Sequence, residues 1–152
     1  MGDQERRSGE HAGEELGAAA LSEAILQSWR VRLRADAMAQ PRMDERGLRE
    51  RQLVTSLVKA AECDDAETLA AVAAAAAAYA DSHPRARLDV SHICDELGLL
   101  HDTAWRTLKL RAPVQADATA SDAAGRVLRF DRALRVAMKA ATAGGFEGRS
   151  CE

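Results

Sequence analysis

The chain has 152 residues, a formal net charge of −3, and 47% hydrophobic but only 3% aromatic side chains. That length suits a single domain with a real core, and the acidic balance argues against a generic nucleic-acid binder, whose surface is normally basic. Much of the apolar content is alanine, which lets helices approach closely while burying little area per residue, and no stretch alternates Val, Ile, Thr or aromatic residues at period two. The expected fold class is therefore all-α: one domain of about five amphipathic helices, globin-like or bundle-like in arrangement.

Residues 1–15 are rich in Gly, Glu and Arg with almost no apolar side chains, which predicts a disordered tail ahead of a helical domain over 16–143. A first helix is expected from about Leu16 to Ala37, with Leu21, Ile25, Trp29 and Leu33 in one row and Leu26 beside it. Trp29 is its largest anchor, and packing is the job that fits it. Gln40-Pro41-Arg42 interrupts the pattern. Asp44 then reads as the N-cap of a second helix reaching about Glu62, with Leu48, Gln52, Leu53, Leu57, Val58 and Ala61 along its face.

Asp64 or Asp65 caps a third helix that runs through the alanines 73–78 to about Asp81 and turns Leu69, Val72, Ala76 and Tyr79 inward. Ser82-His83-Pro84 ends it. Across this first half, Arg30, Arg32, Arg34, Arg42, Arg46, Arg49 and Arg51 follow an acidic start holding Glu5, Glu10, Glu14 and Glu15. The cluster reads as a solvated, salt-bridged helical surface.

The segment after Asp89 admits two structures. Val90, Ile93, Leu97, Leu100, Ala104 and Leu108 recur at steps of three and four, so one helix from about Val90 to Arg111 places them on a single stripe, with Asp95, Asp102, Arg106 and Lys109 mostly away from it. The same letters also suit a helix-turn-helix, with Gly98 in the turn and Thr103, Trp105 and Arg106 facing DNA. A mid-helix Gly costs only about 1 kcal/mol relative to Ala, and Leu100 would be an unusual apolar residue at a turn exit, so the continuous helix is preferred. A polar connector containing Pro113 leads to a last helix from Ser121 or Asp122, with Val127, Phe130, Leu134, Ala137, Met138 and Ala141 inward. Gly144-Gly145 is expected to stop it, leaving 144–152 as a flexible tail.

No catalytic motif stands out: HExxH, a P-loop, GxSxG and a helix-opening GxGxxG are all missing. On a helix His92 and Cys94 lie about 200° apart and His101 is not aligned with both, so they cannot converge unaided and a metal site is not expected. A haem role for His83, His92 or His101 would need large apolar side chains that the composition lacks. The expectation is no enzyme and no cofactor. Cys63, Cys94 and Cys151 form no CxxC pair and no secretory leader precedes them, which suggests reduced thiols in a soluble cytoplasmic protein, and no apolar run approaches the ~20 residues that span a bilayer. Glu96 lies beside the stripe of the central helix. Asp131 is either a polar contact setting helix register or a solvated charge paired with Arg135.

Three segments resemble the RsbRD N-terminal domain family, the helical sensory domain of RsbT co-antagonists, also found in front of sensor histidine kinases. They are Ile25-Leu26-x-x-Trp29-x-x-Arg32-x-Arg34; His83-x-x-Ala86-Arg87-Leu88-Asp89-Val90 with Glu96-Leu97-Gly98-Leu99-Leu100-His101-Asp102; and Phe130-Asp131-Arg132-Ala133-Leu134 with Ala137. The likeness covers about residues 22–142. The chain departs from the family pattern at Leu97, where Tyr is common, at His101, where Arg is common, and at Leu88-Asp89, where a Gly-aromatic pair is usual. The resemblance implies a haem-free helical sensor, commonly dimeric, that passes a signal to a kinase or stressosome-type partner. No output segment is read after the last helix, so the expectation is either a free-standing copy that acts through its surface or a remnant of a longer protein. Under this reading Trp29, Glu96, Leu97, Leu100, Trp105, Phe130 and Asp131 are the structural and interaction candidates. Nucleic acid is a partner only under the helix-turn-helix alternative.

Overall fold

Periodicity alone separates five amphipathic stripes, and the computed structural model turns them into five helices: α1 (Asp3–Asp36), α2 (Glu45–Glu62), α3 (Ala66–Asp81), α4 (Val90–Arg111) and α5 (Thr119–Glu147). The structure describes residues 3–36, 45–63, 65–82, 90–111 and 119–147, with side chains over 17–33, 46–63, 65–82, 90–108 and 124–143. Every described residue except Cys63, Asp65 and Ser82 is α-helical, so the fold is all-α. No described helix is long and apolar enough to cross a membrane.

The helices close a ring in which α1 packs on α2, α2 on α3, α3 on α5, α5 on α4 and α4 on α1, with α2 and α5 also touching across it. The two sides are built from different residues. Where α2, α3 and α5 meet, Ala60, Ala61, Ala76, Ala80, Ala133, Ala137 and Ala141 are buried, and α3 and α5 make the most extensive backbone contact in the molecule. Small side chains permit that approach. Where α1 meets α4, Ile25, Leu26 and Trp29 face Ile93, Leu97 and Leu100. Trp29, Tyr79 and Phe130, three of the chain's five aromatic residues, are fully buried and are the largest side chains of the core.

Local chemistry sets the ends of the helices. The Asp65 carboxylate accepts the Thr68 amide at 2.8 Å and the Thr68 hydroxyl at 2.7 Å, capping α3. These two hydrogen bonds, joined by one from Cys63, hold the Asp65 carboxyl below its ordinary range. Of the two aspartates read as possible caps it is Asp65 that acts; Asp64 lies outside the described residues. At the other end of α3 the Ser82 amide reaches back to the Ala78 carbonyl. The Arg129 guanidinium of α5 donates to the Ala61 carbonyl at 2.6 Å, satisfying one of the acceptors left at the C-terminus of α2.

Four expectations need correction. The backbone of α1 is helical from Asp3, not from Leu16: residues 3–15 hold Glu, Gln, Arg and Ala and no Pro, and a helix already nucleated downstream extends at one hydrogen bond per residue. Low apolar content there removed the reason to bury that segment, not the reason to coil. Likewise α5 starts at Thr119 and continues through Gly144-Gly145 to Glu147 in place of a tail from 144, because two helical glycines cost about 2 kcal/mol and no Pro follows to forbid the turn. On α2, Leu48 is 53% exposed and Gln52 is exposed, while Val54 and Ala60 are buried. The stripe that repeats at three and four is Leu53, Val54, Leu57, Val58 and Ala61, and Leu48 falls on the opposite side. The arginine cluster, finally, is not merely a solvated surface, as shown next. Asp44, Asp89, His83, Pro41, Pro84, Pro113, Cys151 and 148–152 lie outside the described residues, as do the side chains of Arg34 and Lys109.

Candidate functional site

The helix α4 runs unbroken through Gly98, where an added Cβ would meet nothing within 4 Å. Its inner stripe is Ile93, Leu97, Leu100, Ala104 and Leu108, five of the six residues the spacing predicts, while Val90 at the helix start is only half-buried. Two polar residues flank that stripe from inside the fold, Glu96 at 5% exposure and Thr103 at 3%. A buried carboxylate must be matched with donors or lose several kcal/mol to desolvation, and α4 has none of its own to offer beyond His92.

The donors arrive from the other helices. The Tyr79 hydroxyl of α3 donates to Glu96 Oε2 at 2.5 Å, and Arg46 Nη2 of α2 donates to Oε1 at 2.9 Å. His92, one turn earlier on α4 and 58% exposed, places Nε2 at 3.3 Å from the same oxygen. Trp29 of α1 donates its indole N–H to the Glu96 backbone carbonyl at 3.0 Å and sets its ring 5.6 Å from that of Tyr79, tilted by 46°. A second buried carboxylate, Glu50 of α2, accepts Arg30 Nε of α1 at 2.9 Å and lies 3.7 Å from Arg46 Nε. Arg30 also donates to the Gly47 carbonyl at 2.9 Å. The centre thus alternates Arg30, Glu50, Arg46 and Glu96, two guanidiniums with two carboxylates. Burial drives the Tyr79 phenol well above its ordinary value, and the Glu96 charge beside it pushes the same way.

A second polar array lies on the outer edge of α4. Arg32 of α1 donates to Asp102 at 2.6 Å and to the Thr103 hydroxyl at 3.3 Å, and Arg106 stands 3.4 Å from Asp102. The hydrogen bond from Arg32 holds the Asp102 carboxyl below its ordinary range, with the charge of Arg106 adding to it. His101 meets Asp131 of α5 at 3.1 Å, and Arg135 closes on the other oxygen of Asp131 at 3.0 Å. Asp131, with its side chain 31% exposed, thus makes a contact across to α4 and an i,i+4 pair on its own helix. Gly98, His101, Asp131, Leu134, Arg135 and Met138 line a shallow open groove of about 230 Å³ between α4 and α5.

Of the residues singled out from sequence, Trp29 and Glu96 meet at the buried centre, while Leu97, Leu100 and Phe130 are core. Trp105 is half-buried beside His101, with ring centroids 6.5 Å apart. The three residues assigned to DNA do not form one outward row: Thr103 is buried and donates to the Leu99 carbonyl at 2.7 Å, and only Arg106 is exposed. The break at Gly98 that a helix-turn-helix requires is absent. Sequence reasoning missed Tyr79 as a hydrogen-bond donor and Arg30, Arg46 and Glu50 as members of the centre. A signal existed for two of them: Glu50 and Glu96 sit at apolar-stripe positions of their helices, where a charge demands a partner. Nothing in the spacing named those partners.

Among the described residues no group of three His, Cys, Asp or Glu side chains is arranged to hold a metal ion. No protein-family profile, curated protein or solved structure matches the chain.

Proposed function

We propose that this chain is a non-enzymatic sensory and protein-interaction domain of bacterial signal transduction, of the stress-response or histidine-kinase-associated kind, working in the cytoplasm on a signalling kinase or stressosome-type partner. One observation carries the reading. The described parts of the three segments that resemble RsbRD N-terminal domains lie on α1, α4 and α5, far apart in sequence, and marker residues among them bond to one another: Trp29 to Glu96, Arg32 to Asp102, and His101 to Asp131. The rod α4 is thereby held by α1 on one side and α5 on the other. A helix so clasped transmits a small displacement from one neighbour to the other, because packed interfaces switch between discrete arrangements in place of deforming smoothly.

The test is binding between the purified chain and the kinase or stressosome-type protein encoded beside its gene, followed by calorimetry. A stoichiometric complex, weakened when Asp131→Ala uncouples α5 from α4, is the expected result. No binding to such a protein, together with duplex-DNA binding that falls steeply with salt and with Arg106→Ala, would replace this reading with a transcriptional one.

A further inference from the structure

The outer face of α5 carries a feature that neither the core nor the polar centre uses. Leu128, Arg132, Arg135 and Lys139 are exposed and recur at steps of four, three and four, which puts them in one row about 16 Å long. The row lies on the side of α5 opposite Phe130, Ala133, Ala137 and Ala141, the residues that face the core. Leu128, at 70% exposure, is the most exposed large hydrophobic side chain among the described residues. From residue 124 to 143, α5 carries Arg126, Arg129, Arg132, Arg135 and Lys139 against the single carboxylate Asp131, in a chain whose net charge is −3. Arg126 and Arg129 are turned toward α2, on Glu62 and the Ala61 carbonyl, so the outward row is Arg132, Arg135 and Lys139.

The same chain holds the complementary charge. Residues 3–16 contain Asp3, Glu5, Glu10, Glu14 and Glu15 against Arg6 and Arg7. Their backbone continues α1 as a helix beyond the stretch that packs in the core, which begins at Ala18 and Leu21. Fourteen helical residues span about 21 Å, enough to cover the row. Within one chain α1 packs on α2 and α4, and α5 is not among its main neighbours.

We infer that the acidic N-terminal arm of one copy docks on the Leu128–Lys139 row of a second copy, forming an electrostatically held dimer by reciprocal exchange of arms. The inference stands independently of the signalling assignment.

Sedimentation velocity of the full chain tests it. At 50 mM salt a dimer is expected whose dissociation constant rises at least tenfold at 500 mM, since exposed charges are screened. Arg132→Glu with Lys139→Glu should leave the chain monomeric at both salts, as should Glu10→Lys with Glu14→Lys, with unchanged helical circular dichroism. Arg135 is left in place because it closes on Asp131. Mixing the two variants should restore association, because in the mixed pair one arm-and-row contact is wild-type and the other has both its charges reversed. A wild-type monomer at 50 mM salt, a dimer indifferent to either pair of substitutions, or a failure of the mixed variants to associate would overturn the inference. So would a row that binds anionic vesicles or duplex DNA while the chain stays monomeric.

Discussion

Two carboxylates on the same helix, less than two turns apart, show how differently one residue class is used. Glu96 is 5% exposed and is met by Tyr79, Arg46 and His92 from three helices, while Asp102 is half open to solvent and is met by Arg32 and Arg106. Both are fully engaged on paper. The buried one nevertheless decides whether α3 and α4 sit in register, because its carboxylate and the Tyr79 hydroxyl are shut off from water, although Arg46 and His92 reach solvent, whereas the partners of Asp102 exchange with solvent at little cost.

Substitutions should make that contrast measurable. Glu96→Ala leaves the buried Tyr79 hydroxyl without its acceptor and removes one of the two carboxylates beside Arg46, and we expect a loss of about 3 kcal/mol in urea denaturation. Asp102→Ala should cost under about 1 kcal/mol by the same assay. Equal losses at the two positions would erase the distinction.

Tyr79→Phe removes only the donor and should cost about 1.5–3 kcal/mol. Tyr79 is the only tyrosine of the chain, so phenolate absorbance reports on it alone. Its phenol is raised in the folded state, so the stability it contributes is intact below its ordinary value of 10.0 and is lost as pH rises from there toward the folded value. In an alkaline titration the phenolate signal should therefore appear together with loss of helical circular dichroism, not before it.

Away from both centres, Asp65→Ala should cost about 1 kcal/mol by uncapping α3. The smallest effect has the most diagnostic sign. Gly98→Ala should stabilise the chain by about 0.5–1 kcal/mol, because the site is helical and open to a methyl group. A turn at Gly98 with a positive φ would give a destabilisation instead, so thermal unfolding of this variant checks the straightness of α4 directly.

Much of the scaffold was legible before any coordinates. The bounds of α4, a cap at Asp64 or Asp65 and the inward rows of α1, α3 and α5 follow from periodicity and capping chemistry, both of which act within a few residues. Where this local reading failed, it failed in recognisable ways. Residues 3–15 and the Gly144-Gly145 step were judged by composition, although helix continuation costs little once a neighbouring turn exists. Leu48 precedes the inward row of α2 in sequence, but its phase on the helix points it outward. At the polar centre, Glu96 and Trp29 could be named as candidates, but Arg30 and Arg46 read as members of a surface charge cluster and Tyr79 as plain core.

By itself the order of residues determined five helices, which face of each is greasy, and that a few charges sit among those faces. Hydrogen bonding within a helix and the step of 3.6 residues per turn are local facts, and local facts are written in adjacent letters. Which guanidinium meets which carboxylate was decided only when five helices closed into a ring, bringing α1, α2, α3 and α4 to within hydrogen-bond distance at Glu96. Those partners are separated by as many as 67 positions, and no periodic pattern reaches that far.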